Sequence, residues 1–331
     1  MSHLRAICLG EILFDCLADR VGESREEVQS WTRFPGGAPA NVASGLVKLG
    51  IPAAFIGCVG RDASGKEAIR LLEQLNVDCR GVQYHPTAPT REVYVLRKEN
   101  GDRIFSDFGD RSANTFADAY LESSQLPVEL FQEADYLVIG TLELAYPQTR
   151  ESVFRALELA DEYYLKIVLD VNWRPMFWPD LQQSYRLINS LWQAVDFIKF
   201  SGEEARYFFG TTDATQIFYN IDSVEGVIVT DGGHGEISYC LTDNSGTIAP
   251  FKIPVKETTG AGDAFVAGLV YQFCQRGIGC LQDAESVREI ITYAAAVGAI
   301  ATTRVGAMTA QPTASEVETF LRSAMSNRES V

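Results

Sequence analysis

The chain reads as an α/β protein built on a mainly parallel central sheet with helices on both faces. Short apolar runs rich in β-branched residues recur along most of its length, and amphipathic segments at helical spacing separate them. Continuous apolar runs suit strands buried on both faces, which is the state of a parallel sheet between two helical layers. Composition agrees: 331 residues, 46% hydrophobic and 22% charged, describe an ordinary globular protein. No Pro/Ser-rich linker, low-complexity tract or internal repeat divides the chain, so one domain over 1–331 is expected.

In order, RAICLG (5–10) predicts the first strand and PANVASGLVKLG (39–50) a helix closed by Gly50. AAFIGCVG (53–60) predicts a strand, and SGKEAIRLLEQLNV (64–77) the helix after it. YLVIG (136–140), KIVLDV (166–171), DFIKF (196–200) and GVIVT (226–230) continue the strand series. ESVFRALELADEYY (151–164) is the clearest of the intervening amphipathic helices. Two stretches break this rhythm. EVYVLRKENGDRIFSDF (92–108) alternates around Asn100-Gly101, a hairpin signal, and the polar ADRVGESREEVQSWTRF (18–34) precedes a glycine pair. A small antiparallel sheet projecting from the body accounts for both, with segments near 16–35 and 90–112. Ligand clefts in such folds lie at the C-terminal ends of the parallel strands, so this sheet is placed to act as a lid.

Charge and cysteine usage exclude several partners. A net charge of −16, from 44 acids against 28 bases, repels nucleic acid and anionic membranes. Nucleotides remain admissible, because helix N-termini can hold an anion locally. The seven cysteines are scattered and include no CxxC, which predicts free thiols in a reducing cytoplasm. The N-terminal MSHLRAICLGEILFDC carries acids early and no apolar block of signal or membrane-span length, so a cytoplasmic location is expected. Three histidines, His3, His85 and His234, are too few and too scattered for a catalytic metal centre.

The segment KETTGAGDAFVAG (256–268) carries the sharpest chemistry. Gly260, Ala261 and Gly262 precede an apolar helical pattern, and small residues at a helix start leave N–H groups accessible to an anion. Asp263 follows in the first turn. A carboxylate beside an anion site makes sense if it takes a proton from a hydroxyl that attacks the bound phosphoryl group. By itself the stretch equally describes a glycine-rich helix start with a first-turn acid. Its companion is FPGGAPANVASGLVKLG (34–50), where Gly36 and Gly37 permit close backbone approach and Asn41 follows in the first turns of a helix.

PGGAPANVA, then FIGCVGRDASG, and much later ETTGAGDAF resemble the two signatures of the PfkB, or ribokinase-like, carbohydrate kinases, most like a fructokinase. The likeness runs from GEILFD at residue 10 to TRVGA at residue 307. It implies a three-layer α/β/α body with a β-sheet lid, ATP as donor with Mg²⁺, and a sugar hydroxyl as acceptor. It also implies a homodimer paired through the lids. By the same resemblance Asp263 is the catalytic base, and the amides of Gly260, Ala261 and Gly262 form the anion hole. Asp15, Gly36, Gly37 and Asn41 hold the sugar, and Glu143 in IGTLEL adds a further contact.

On the nucleotide side DVNWRP (170–175) resembles the family's DPNxR segment, which assigns Asn172 and Arg174 to the donor phosphates. VTDGGHG (229–235) resembles its nucleotide turn, which assigns Thr230, Gly232 and Gly235. KFSGEEARYFFG (199–210) resembles the NxxE segment, so Glu204 would organise Mg²⁺ through water; Ser201 replaces the usual Asn, as in many fructokinases. Glu257 stands where the family usually has Asp. With the Thr259, Ala301 and Gly306 carbonyls it marks a candidate site for a monovalent cation, K⁺.

The expected reaction is transfer of the γ-phosphoryl group of ATP to a primary hydroxyl of fructose. Alternative acceptors are 2-keto-3-deoxygluconate, for which Arg111 could meet the carboxylate, ribose or a nucleoside. A non-catalytic regulatory descendant is a further alternative, and the intact Gly260, Gly262 and Asp263 argue against it. A dinucleotide oxidoreductase would need GxGxxG where GEILFD stands. GRDASGKE (60–67) nearly spells a P-loop but has Glu67 in place of the Mg²⁺-binding hydroxyl, so Lys66 is read as a solvated charge. The aromatic WRPMFW (173–178) is read as packing beneath the nucleotide cleft.

Overall fold

A computed structural model describes residues 3–98, 103–178, 180–232 and 235–328. The chain runs β1 (Ala6–Leu9), β2 (Leu13–Val21), β3 (Trp31–Gly36), α1 (Ala38–Leu49), β4 (Ala53–Gly60) and α2 (Ala63–Gln74). It continues through β5 (Asp78–His85), β6 (Glu92–Arg97), β7 (Arg103–Asp107), α3 (Val128–Glu133), β8 (Tyr136–Ile139) and α4 (Pro147–Glu162). Then come β9 (Lys166–Asp170), α5 (Leu181–Ser190), β10 (Phe197–Ser201), α6 (Gly202–Phe209), α7 (Ala214–Asn220) and β11 (Gly226–Thr230). β12 (Ile237–Leu241), β13 (Asn244–Ile248), α8 (Ala261–Arg276), α9 (Ala284–Thr302) and α10 (Ala314–Arg328) complete it.

Nine strands form the central sheet in the order β13-β12-β11-β10-β9-β8-β1-β4-β5. All pairings from β11 to β5 are parallel, whereas β12 runs antiparallel to both its neighbours. The period-two geometry of a strand explains how one apolar run serves two cores. Ile7, Leu9, Leu137, Ile139, Ile198 and Phe200 point to the layer containing α3 to α7. Ala6, Cys8, Tyr136, Val138 and Phe197 point to the opposite layer, with α1, α2, α8 and α9. The three-layer expectation is therefore met, and each predicted strand is present within a residue or two of its expected bounds.

Helix ends follow local chemistry. Asp62 caps α2 by accepting from Gly65 N at 2.7 Å, so the GRDASGKE segment is a capped helix start, and Lys66 is exposed. Asp283 caps α9 in the same way through Ser286 N at 2.8 Å. Three strands had no counterpart among the expectations. β5 is only partly buried and offers no continuous apolar run, and β12 and β13 form a hairpin whose turn puts Thr242 at φ 53.

A second sheet, β3-β2-β6-β7, forms the lid. It was expected to be antiparallel, and its outer pairs β2/β3 and β6/β7 are, but β2 and β6 pair in parallel. The reason is topological: β2 follows β1 and β6 follows β5, and both leave the C-terminal edge of the parallel sheet in the same direction. The Asn100-Gly101 turn lies outside the described residues.

Arg91, just before β6, ties the lid to the body. Its side chain is fully buried and donates to both Asp118 oxygens at 2.6 and 2.8 Å, to the Ala113 carbonyl at 2.8 Å and to the Tyr146 hydroxyl at 3.0 Å. The guanidinium also lies within 4.7 to 5.4 Å of the ring centres of Phe116, Tyr146, Phe177 and Phe108. Removing one member of such a pair leaves an uncompensated buried charge. Arg91→Met should therefore lower stability by about 3–5 kcal/mol, read as the shift of a urea unfolding midpoint. An unchanged midpoint would show that Asp118 finds another partner.

Candidate active site

The order of the central sheet reverses beside β1: the chain goes outward through β4 and β5, then returns to build β8 to β11 on the other side. Segments leaving the C-terminal ends of β1, β8 and β9 converge at that point, where a doubly wound sheet opens a crevice. Two helix N-termini close over it. α1 starts at Gly37, whose φ of 106° and close fit admit no side chain, since a Cβ would sit 2.5 Å from the Glu11 carbonyl. α8 starts at Gly260, with φ 77° and a Cβ position 2.8 Å from the Cβ of Ala307. The two starts are joined by one hydrogen bond, from Asn41 Nδ2 to Asp263 Oδ2 at 2.7 Å, although the residues are 222 positions apart.

The resulting cleft has a volume of about 520 Å³. Asn41, Gly37, Gly260, Gly262 and Asp263 line its floor, and Leu13, Asp15, Leu17, Val93, Val95 and Phe105 of the lid form one wall. Asp15, which follows the first strand in GEILFD, is the third residue of the lid strand β2. Gly36 ends β3 directly against it, with a Cβ position 3.0 Å from Asp15 Oδ2. Glu143 lies just beneath the cleft, buried, and Glu11 stands on the cleft wall and accepts from Ala38 N at 2.7 Å. Burial, then the adjacent Glu11 charge, holds the Glu143 carboxyl well above the usual carboxylate range, and burial raises Glu11 as well.

Asn172 and Arg174 line the opposite end, Arg174 exposed and Asn172 at φ 38°, a left-handed conformation suited to Asn. Glu204 is buried and engages both carboxylate oxygens with backbone amides, Oε1 with Trp173 N and Oε2 with Ser201 N, each at 2.7 Å. It braces the 170–175 loop against the start of α6, where it also completes a capping box with Ser201. Thr230 ends β11 with its hydroxyl 3.4 Å from the Phe200 carbonyl, and Asp231 after it packs against Gly202 and Gly235. Gly232 has φ 59°, and His234 lies outside the described residues. Glu257 and Gly306 come together, Gly306 N donating to Glu257 Oε2 at 3.2 Å. The Ala301 carbonyl already accepts from Arg304 N at 3.3 Å. Among the aromatics, Phe177 and Trp178 are buried and Trp173 stacks on Tyr207 with ring centres 4.3 Å apart. Arg111 lies away from this cleft, in a groove with Arg25 and Tyr94.

Three cleft-side residues escaped the sequence reading: Glu11, Asp170 and Lys199. Lys199 Nζ donates to Asp170 Oδ1 at 3.0 Å, and both side chains are almost fully buried. An inward-facing lysine in KFS is legible only once β10 is known to end at the cleft. Of the three expected anion-hole amides, Ala261 N donates to the Thr258 carbonyl at 3.2 Å. That of Gly262 lies in the first turn of α8, where no intrahelical acceptor exists, and the amide of Asp263, which was not among the three, is placed in the same way. Asp263 is buried, and burial, then the Asp170 charge, pushes it up to about 7 against the Asn41 hydrogen bond and the Lys199 and Arg174 charges. Among the described residues no group of three or more His, Cys, Asp or Glu side chains is arranged to hold a metal, and no helix is long and apolar enough to cross a membrane.

A buried acid at an amide-bearing helix start, under a lid, defines a phosphotransferase site of the α/β/α sugar-kinase class. The chain belongs to the pfkB family of carbohydrate kinases, whose model matches residues 4–314. It is 33% identical over 325 residues to the probable fructokinase-6, chloroplastic, of Arabidopsis thaliana, covering 96% of this chain and 83% of the relative. The fold matches a crystal structure of fructokinase with bound ATP from Xylella fastidiosa at a TM-score of 0.87 and 28% identity, over 97% of this chain and 99% of that one. A double mutant of fructokinase from Vibrio cholerae O395, in a form with fructose, ADP and potassium ion bound, matches at a TM-score of 0.80 and 28% identity, over 97% and 99%.

The raised Asp263 carboxyl makes stability depend on pH. The folded protein retains the proton to about 7, whereas the unfolded chain loses it near about 3.9, so this group's contribution is present at acid pH and lost as pH rises through that window. Asp263→Asn, which cannot ionise, should therefore melt higher than wild type at pH 8. The difference should shrink toward zero near pH 4, as followed by calorimetry across pH.

Proposed function

We propose that the protein transfers the γ-phosphoryl group of ATP to the primary hydroxyl of fructose, forming fructose 6-phosphate. The observation that carries this reading is the buried Asp263 carboxylate at the start of α8, held by Asn41 inside the lidded cleft. Asp263 accepts the hydroxyl proton as the oxygen attacks the γ-phosphorus in line, and ADP leaves with the electron pair of the broken bond. Gly260, Ala261 and Gly262 supply amides to the developing negative charge, Ala261 by giving up its bond to Thr258. Asp15, Gly36, Gly37 and Asn41 position the sugar, with Glu11 and Glu143 bracing the α1 start beneath it. The apolar lid residues Val93, Val95 and Phe105 exclude water that would compete as acceptor.

Asn172 and Arg174 receive the donor phosphates, with Thr230, Gly232 and Gly235 beside the nucleotide. Mg²⁺ would be held mainly by those phosphates and by water, since it retains several waters and needs few protein ligands, and Glu204 would act on it through water while fixing the 170–175 loop. K⁺ near Glu257, Thr259, Ala301 and Gly306 belongs to the same reading and draws support from the potassium-bound Vibrio cholerae protein. So does fructose as acceptor, supported by that structure and by the fructokinases among the relatives. β3, an edge of the lid sheet, offers the surface for pairing two copies, and free thiols fit a cytoplasmic enzyme.

ADP release from ATP–Mg²⁺ tests the reaction across fructose, ribose, 2-keto-3-deoxygluconate and adenosine. Fructose should give the highest kcat/KM, and Asp263→Asn should lose activity by several orders of magnitude. A mutant that retains turnover removes Asp263 from its role; preference for another acceptor overturns fructose.

The same carboxyl sets a pH profile. Since the base must be ionised, kcat/KM should rise with pH through about 7 and level off above it. A profile flat between pH 5.5 and 8.5 would count against Asp263 as the titrating group.

A further inference from the structure

The cleft of this acidic protein contains two cationic side chains among its described lining residues, Arg174 and Lys199. Arg174 is exposed, but Lys199 is 6% exposed and reaches the floor from the end of β10. Its ammonium lies against Gly262: a Cβ built there would sit 2.8 Å from Nζ. Any larger residue at 262 would push the ammonium away from the start of α8.

This placement is electrostatically odd in the free protein. A helix N-terminus carries partial positive charge and disfavours a cation beside it. Asp170, with the Glu204 and Asp263 carboxyl groups nearby, keeps the ammonium protonated, but the bond from Lys199 to Asp170 engages one of its three donors. Asp170 Oδ2 is itself buried with no hydrogen-bond partner. A half-satisfied buried pair is costly unless a further group completes it. An anion resting on the amides of Gly262 and Asp263 would do so, adding an acceptor for the remaining N–H donors.

On the kinase reading proposed above, we propose that Lys199 is a catalytic cation that meets the γ-phosphoryl group during transfer. The sugar oxygen forms its bond to phosphorus while the bond to the β,γ-bridging oxygen breaks, the proton passes to Asp263 and ADP departs with the electron pair. Lys199 remains protonated throughout and shifts its free donors from solvent and Asp170 toward the phosphoryl oxygens. Asp170 is then a positioning residue that holds the ammonium beside Gly262 when no phosphate is present.

Three variants separate this role from a structural one: Lys199→Met, Asp170→Asn, and the double variant, which removes both buried charges together. Melting temperature, kcat and KM with the best acceptor, and the gain in ADP–Mg²⁺ affinity on adding beryllium fluoride, a γ-phosphoryl mimic, are measured for each. The double variant should recover the melting temperature lost in Lys199→Met. Its kcat should stay about 10²–10³-fold below wild type, with acceptor KM little changed, and its beryllium fluoride gain should fall at least about tenfold, the loss expected for a charge-assisted contact. Asp170→Asn, which keeps the ammonium, should retain most of that gain. A double variant with near wild-type kcat and an undiminished gain would overturn the proposal and leave Lys199 as a buried partner of Asp170. Wild-type silence with every sugar would overturn the kinase reading instead, and the beryllium fluoride gain, which needs no acceptor, would still decide Lys199.

Discussion

A carboxylate buried at the start of α8 is the constraint on which the rest of the site depends. Removing an ionised group from water is expensive, and the protein offsets the cost from several directions at once. The helix dipole favours negative charge at that position, Asn41 donates to it, and Lys199 and Arg174 contribute positive potential. Burial and the Asp170 charge act the other way, which leaves the group near neutrality in its titration and able to exchange a proton. Burial is the largest of these influences and the net effect raises the group, so Asp263 is poised to gain or lose a proton near pH 7.

The same constraint dictates the backbone around it. Asn41 can reach Asp263 only if α1 and α8 begin side by side, and they do so because their interface is made of small residues. Gly45 of α1 faces Ala267 of α8 at a distance that leaves no room for a further methyl group, and Gly268 of α8 meets Ala294 of α9 equally closely on its other side. Gly37 and Gly260 then turn the chain into each helix in conformations closed to other residues. Gly37 and Gly260 are therefore the glycines that let two helix starts approach one crevice.

Carboxyl groups also shape the layer beneath the cleft. Glu11 and Glu143 follow the adjacent strands β1 and β8 and meet beside the start of α1, while Arg91 and Asp118 pair a short distance away where the lid joins the body. Each pair couples an element of the body to one that contacts the cleft. Glu204 does the same at the Arg174 end of the cleft, accepting from the amides of Trp173 in the loop after β9 and of Ser201 at the end of β10. In this structure the buried Glu143 and Glu204 also tie separate segments of the scaffold together.

The local signals of the sequence determined the alternating strands and helices, because hydrophobic period and cap residues act within a few residues of one another. The GAGD and PGG segments were legible for the same reason: glycine and acid at a helix start have a meaning independent of the rest of the chain. Strand β5 and the β12–β13 hairpin were not, since their burial is partial and their pattern weak. The parallel pairing of β2 with β6 was decided by topology, through strands leaving one sheet edge in a common direction. Tertiary structure alone also decided that Glu11 and Lys199 reach the cleft, that Asp170 stands behind Lys199 and that Glu143 packs against Glu11. A lone acid or lysine in sequence carries no direction, and whether it meets solvent, a ligand or another charge depends on segments tens to hundreds of residues away.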